Sequence, residues 1–458
     1  MDNYRCLCET GYQLQSDNLT CAPPDPTIGY VYLQSTDRLS RISLSGPDYV
    51  DETFFSLNMD DKNMVNSNGI IAFDVDMATE KLFYAKRHAT DQMLTLYSTK
   101  LASTIGNNAQ VVVTIGTDHS ANGHFEIAVD WVTGNLYLLV ASTGRIEVVP
   151  QMQSFNHSHR AVVVWDHVSK EAQSLSLHPN TGCMFWINTE EVKDGNSESF
   201  FIIKSGMDGS VLSEFLEIGP ASSKRTHQPS LVITGTRLFW TSDQNHVIMS
   251  VKLDGSDKQV HVESASRQPT LLAANFLSSN NKFYFYDSSE MALYETSLAR
   301  NFSTFRLRTT LDGIRRIKIP TPVAEQTKNP CSEKPCSQLC LLSPDVIGYR
   351  CFCSIGYLLD RDGISCSRNF EKLLLVAHGQ NDFLQIDMTA PYLANLPLPV
   401  SPSPQNVVAV AADEEDNSIC WADNGRKVIA CSAEGLDILK SQVIATEFDS
   451  VESIAFGL

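Results

Sequence analysis

The chain has 458 residues, 43% hydrophobic and 19% charged, with a formal net charge of −18. Its length supports two or three domains and one large core. The acidity excludes a polyphosphate-binding surface, which needs clustered Lys and Arg, and no apolar run approaches the roughly 20 residues that span a bilayer.

The first element is a cysteine cluster, Cys6, Cys8 and Cys21, in YRCLCETGYQLQSDNLTC. The start, MDNYRCLCET, has neither the charged n-region nor the apolar h-region of a signal peptide. The expectation is that it opens in the middle of a longer secreted protein. Sequons at Asn18, Asn156 and Asn301 point to the same oxidising, glycosylating compartment.

Between residues 30 and 290 one pattern recurs. It is clearest in GTRLFWTSDQNHVIMSVKLDGSD, residues 235 to 257, where two strand-like runs flank a polar turn. Weaker copies centre on Tyr32-Leu33-Gln34-Ser35, Phe83-Tyr84-Ala85-Lys86, Tyr137-Leu138-Leu139-Val140, Phe185-Trp186-Ile187-Asn188 and Tyr284-Phe285-Tyr286-Asp287. Successive centres lie 45 to 54 residues apart. Three or four strands per unit at this period, with Gly, Asn and Ser in the links, is the sequence form of an all-β, six-bladed β-propeller. A lone blade cannot cover both faces of its sheet; a ring of blades can, and the Phe, Tyr and Trp of the centres suit the wedges between sheets.

Next comes a complete cluster of six cysteines: Cys331, Cys336, Cys340, Cys351, Cys353 and Cys366. So short a segment cannot bury a stabilising core, which makes this a disulfide framework. Its spacing leaves the connectivity open. Zinc binding is disfavoured by the absence of Cys-x-x-Cys pairs and of histidine at ligand spacing. The strand pattern then restarts in EKLLLVAHGQNDFLQIDM and NVVAVAADEEDNSICWADNGRKVIACSAEGLD, as the first units of a second propeller. Cys420 and Cys431 flank a turn there and form either a cross-strand disulfide or two buried thiols. Cys183 reads as a buried free thiol.

Together these motifs resemble the LDL receptor family. The centres look like degraded Tyr-Trp-Thr-Asp repeats, best kept in Phe239-Trp240-Thr241-Ser242 and Cys420-Trp421-Ala422-Asp423, and both cysteine clusters look like its EGF-type modules. The order of modules is closest to the giant LDL-receptor-related proteins and megalin. The resemblance implies four parts: the end of an EGF-type module (1–22), a six-bladed YWTD-type propeller (28–326), an EGF-type module (327–367) and the first blades of a second, incomplete propeller (368–458). It implies the pairings Cys8–Cys21, Cys331–Cys340, Cys336–Cys351 and Cys353–Cys366, with Cys6 left over. Because most copies have lost the motif's Thr or Asp, blade contacts are expected to lean on apolar packing.

No nucleophile elbow or phosphate loop is present, and the chain reads as no enzyme. Asp74, Asp76 and Asp130 precede turns and read as turn formers. No metal site and no cofactor are expected here. The approach to Cys331, VAEQTKNPC, lacks the acidic lead-in of a calcium site, which leaves calcium to flanking modules. The resemblance implies a cell-surface and endosomal receptor ectodomain that meets protein ligands and the receptor's own ligand-binding modules, serving as spacer and acid-dependent release element. It would be membrane-anchored through a segment beyond this sequence. Histidine suits such a switch, and His157, His159, His167 and His178 are the candidates. The alternative is a nidogen-like matrix protein or a Wnt co-receptor-like binding propeller, since these use the same modules.

Overall fold

The structure is a computed structural model. It describes residues 6, 8, 13–15, 17, 19–22, 30–35, 38–43, 52–56, 69–87, 93–101, 109–116, 124–150, 160–191, 198–220, 229–242, 247–263, 269–275, 282–297, 306–311, 313–320, 328–368, 373–378, 382–388, 395–398, 405–413, 418–432, 441–446 and 448–455.

Six four-stranded antiparallel sheets follow one another. Blade 2 runs Ile70–Asp76, Lys81–Arg87, Met93–Lys100 and Gln110–Gly116. Blade 3 runs Phe125–Val129, Leu136–Val140, Arg145–Val149 and Ala161–Trp165. Blade 4 runs Gln173–His178, Cys183–Glu191, Glu198–Gly206 and Ser213–Pro220. Blade 5 runs Leu231–Thr234, Arg237–Ser242, Val247–Lys252 and Gln259–Glu263. Blade 6 runs Pro269–Asn275, Lys282–Asp287, Ala292–Ser297 and Arg306–Thr310. Blade 1 joins both ends of the ring: Tyr30–Gln34, Arg38–Ser43 and Glu52–Ser56 take their innermost strand, Arg316–Lys318, from the far end of the sequence. Ile317 lies opposite Leu33 in that closing pair.

Each aromatic centre lies in the second strand of its blade, and the period of two explains its near-continuous apolar run. Alternate residues face alternate neighbours. Trp186 packs toward blade 3 and Phe185 toward blade 5. Trp240 packs toward blade 4, and Phe239 meets Phe283 of blade 6 at a ring distance of 4.5 Å. Tyr284 of blade 6 packs with Val31 and Leu33 of blade 1. The same holds between blades 1 and 2, where Tyr32 and Leu39 meet Ile70 and Tyr84, and between blades 2 and 3, where Phe83 meets Ile127 and Leu138. Apolar clusters thus fill all six wedges. Side chains in the motif's Thr and Asp positions still contribute. Gln34 donates to the Ile70 carbonyl at 2.6 Å, tying blade 1 to blade 2, and Asn188 accepts from the Ser169 N–H at 3.1 Å.

Beyond the ring, two small hairpins, Leu339–Leu342 with Tyr349–Phe352 and Tyr357–Leu359 with Cys366–Arg368, are stapled by Cys331–Cys340, Cys336–Cys351 and Cys353–Cys366. A Cys8–Cys21 bridge closes the N-terminal hairpin, Gln13–Leu14 with Cys21–Ala22. After residue 368 come a three-stranded and a four-stranded sheet. In the latter, Cys420 and Cys431 are directly opposed and bonded, with Cα atoms 4.0 Å apart. Cys6 and Cys183 are free thiols, Cys183 buried.

Candidate functional site: the docking face and the central channel

The turns between first and second strands share one chemistry in blades 2 to 4. In Asp76-Met77-Ala78-Thr79 the carboxylate accepts from the Ala78 N–H and the Thr79 hydroxyl. In Asp130-Trp131-Val132-Thr133 it accepts from the Val132 N–H at 3.0 Å and from the Thr133 N–H and hydroxyl. Both aspartates are therefore turn formers. In His178-Pro179-Asn180-Thr181 an imidazole takes the aspartate's place: its Nδ1 pairs with the Thr181 hydroxyl at 2.7 Å, and its Nε2 meets the Gly235 carbonyl of blade 5 at 3.0 Å. Burial lowers the pKa of His178 against that carbonyl bond. Aligning the three turns in the sequence would have exposed this structural role.

The EGF-type module docks on these turns under blades 3 and 4. Leu339, Leu341 and Leu342 are 0 to 2% exposed and join one cluster with Tyr137, Met184 and Met207. Around them, Asn135 donates to the Cys340 carbonyl (2.9 Å) and Asn329 to the Val132 carbonyl (2.8 Å). The Ile355 N–H donates to the Arg160 carbonyl (2.9 Å), and Arg350 pairs with the buried carboxylate of Asp208 (3.3 Å). Glycines permit the approach. Gly182 sits at φ +62°, where a Cβ would fall 2.4 Å from the Ser343 carbonyl carbon.

At the ring's axis the closing strand carries two cations to two carboxylates. Lys318 reaches Asp74 of blade 2 at 3.4 Å and donates to the Ile127 carbonyl of blade 3 at 3.0 Å. Arg316 lies 3.5 Å from Glu126 of blade 3, which also accepts from the Ser174 N–H of blade 4. Burial raises the pKa of Glu126, but Arg316, Lys318 and that N–H outweigh it and hold the carboxyl below its ordinary value. Asp74 thus faces the channel as part of a latch, accepting also from the Val129 N–H. Arg316-Ile317-Lys318 is too short and polar to announce a strand, so the latch is not legible in the sequence.

Two of the four candidate histidines, His167 and His178, are among the described residues. His157 and His159 lie outside the described residues, as do the sequons Asn18, Asn156 and Asn301. His167, exposed, and His178 lie toward opposite ends of the Gln173–His178 strand. Among the described residues no group of three or more His, Cys, Asp or Glu is placed to hold a metal ion, and no helix is long and apolar enough to cross a membrane.

A closed ring of six blades, with a disulfide-stapled module clamped beneath two of them, defines a YWTD-type propeller with its EGF-type partner. No family model matches the chain. The vitellogenin receptor Yl of Drosophila melanogaster is 25% identical over 398 residues, covering 84% of this chain and 18% of that protein. Low-density lipoprotein receptor-related protein 4 of Homo sapiens is 30% identical over 110 residues, covering 24% of this chain and 5% of that protein. Among solved structures a nidogen/laminin complex matches with a TM-score of 0.46 at 15% identity, over 63% of this chain and 97% of that one. The chain is related to the LDL receptor family, and it spans less than a fifth of the length of the vitellogenin receptor Yl.

Proposed function

We propose that this chain is part of the extracellular region of an endocytic receptor, in which the propeller and its docked module serve as spacer and as acid-dependent release element. The observation that carries the reading is the clamp under blades 3 and 4. Its buried leucines and interface hydrogen bonds hold the module at one angle, as an element that must present a surface to another part of the same receptor requires. Titratable groups sit at or beside that clamp, Asp130 and His178 among them. The reading assigns no catalysis and no cofactor to these residues, and leaves calcium to flanking modules.

Partners would be the receptor's own cysteine-rich ligand-binding modules in acid and protein cargo at neutral pH. One relative is a vitellogenin receptor, which makes vitellogenin the first cargo to try. The test is binding of the chain to a pair of such modules at about pH 7.4 and about pH 5.5. Binding confined to acid supports release; equal binding, or none, removes it. His157, His159, His167 and His178 remain proposed contributors, read out by Ala substitution in the same assay.

A further inference from the structure

Two carboxylates lie buried where the module docks, and only one meets a cation. Asp208, 3% exposed, is reached by Arg350 of the module. Asp130 is 0% exposed, on the turn whose Val132 and Asn135 are bonded to Asn329 and Cys340. Its partners are the Val132 and Thr133 N–H groups and the Thr133 hydroxyl, and among the described residues no ion pair compensates it. Among the described residues Tyr137, on the next strand, lies within the influence of both Asp130 and Asp208; burial, and then both carboxylates, push that phenol well above its ordinary pKa. Arg350 engages Asp208 and Asp345.

We propose that Asp130 is a proton-uptake site that tightens the module on blades 3 and 4 in acid. With the module in place Asp130 is fully buried, and among the described residues no cation pairs with it, which disfavours its charged form. Burial pushes the Asp130 carboxyl up from 3.8 to about 6, against the lowering effect of its three donors. A group whose pKa is higher in the docked state takes up a proton on docking. Docking is then favoured at low pH, and the advantage is lost as pH rises through about 6. The turn keeps its shape on protonation, since the carboxyl donates to the Thr133 oxygen instead of accepting from it. The idea rests on the reading that the chain passes through an acidified compartment, but docking is measured without any ligand.

The test is amide exchange of Ile355, whose N–H spans the interface to Arg160. Corrected for intrinsic rate, its protection should rise roughly three- to tenfold from about pH 7.4 to about pH 5.5. Asp130→Asn, neutral at every pH, should be as protected at neutral pH as the parent is in acid. Thr133→Ala, which removes a donor to the carboxylate, should move the midpoint upward. Asp208→Asn should lower protection at both pH values and keep the pH dependence. Protection that does not change with pH, or a pH dependence that survives Asp130→Asn, overturns the proposal. Should Asp130→Asn not fold, an unmoved midpoint in Thr133→Ala overturns it. Acid-only binding to ligand-binding modules alongside pH-independent docking would leave the release reading intact and remove this one.

Discussion

Asn135 of blade 3 donates its side-chain amide to the carbonyl of Cys340, 2.9 Å away and 205 positions along the chain. The same residue closes its own turn, accepting from the Asp130 N–H and donating its backbone N–H to the Thr133 hydroxyl. One residue therefore links turn geometry, through its backbone, to module docking, through its side chain. Asn135→Leu should leave the Cys340 carbonyl without this donor and weaken docking by about 1–3 kcal/mol. Faster exchange at Ile355 with unchanged protection in blades 5 and 6 would show the loss to be local.

Gly182 makes a sharper test. Its positive φ already disfavours a side chain, and a Cβ there would run into backbone atoms of Ser343 and Pro344 that cannot step aside. Gly182→Val should separate module from propeller and cost about 2–4 kcal/mol, from strain and from exposure of Leu339 and Leu342. The check is a lower melting midpoint together with a larger hydrodynamic radius. A midpoint within error of the parent would mean that the interface yields.

The latch across the channel should govern how the ring opens. The closing strand is three residues long, so Lys318 and Arg316 supply much of what its short ladder cannot. Lys318→Met should cost about 1–2 kcal/mol, more at low salt than at high, because the pair is partly solvated. A double-mutant cycle with Asp74→Asn checks it, with a coupling of about 0.5 kcal/mol or more expected. Additive effects would deny the latch.

What the sequence revealed and what it hid have separate physical causes. The second strands of the blades were legible because each buries both faces, and strings such as Phe185-Trp186-Ile187 and Phe283-Tyr284-Phe285 cannot sit anywhere wetter. The closing strand was hidden: Ile317 is its only apolar residue, and its two flanking charges find partners in blades 2 and 3, far away in sequence. Cysteine spacing left the pairing open, and only the family resemblance suggested one. His178, a switch candidate by residue type, also has a structural place that its type does not announce: it stands in a turn of the Asp-x-x-Thr kind and bonds the Thr181 hydroxyl and the Gly235 carbonyl. Motif residues thought lost are in part replaced, as Gln34 shows by bonding the Ile70 carbonyl where a threonine would stand.

Acid should act on blade 5 in the sense opposite to Asp130. His261 accepts or donates at Ser250, 2.6 Å from its Nε2, while Arg237 donates to the same hydroxyl at 2.8 Å and pairs with Asp257 at 2.6 Å. Burial, then the Arg237 charge, lower the imidazole pKa from 6.5 to about 4, with Asp257 opposing. Between those two values the unfolded chain binds the proton and the folded chain does not. Stability is therefore present above pH 6.5 and lost as pH falls toward about 4. The ring is half-exposed and screened, so the loss attributable to it is about 1 kcal/mol. His261→Gln should flatten the fall in melting midpoint over that window while lowering the neutral-pH midpoint little, since glutamine can still reach Ser250. A melting profile with an unchanged acid slope in His261→Gln would show that the proton goes elsewhere, and the histidines at blade junctions would then be the next to replace.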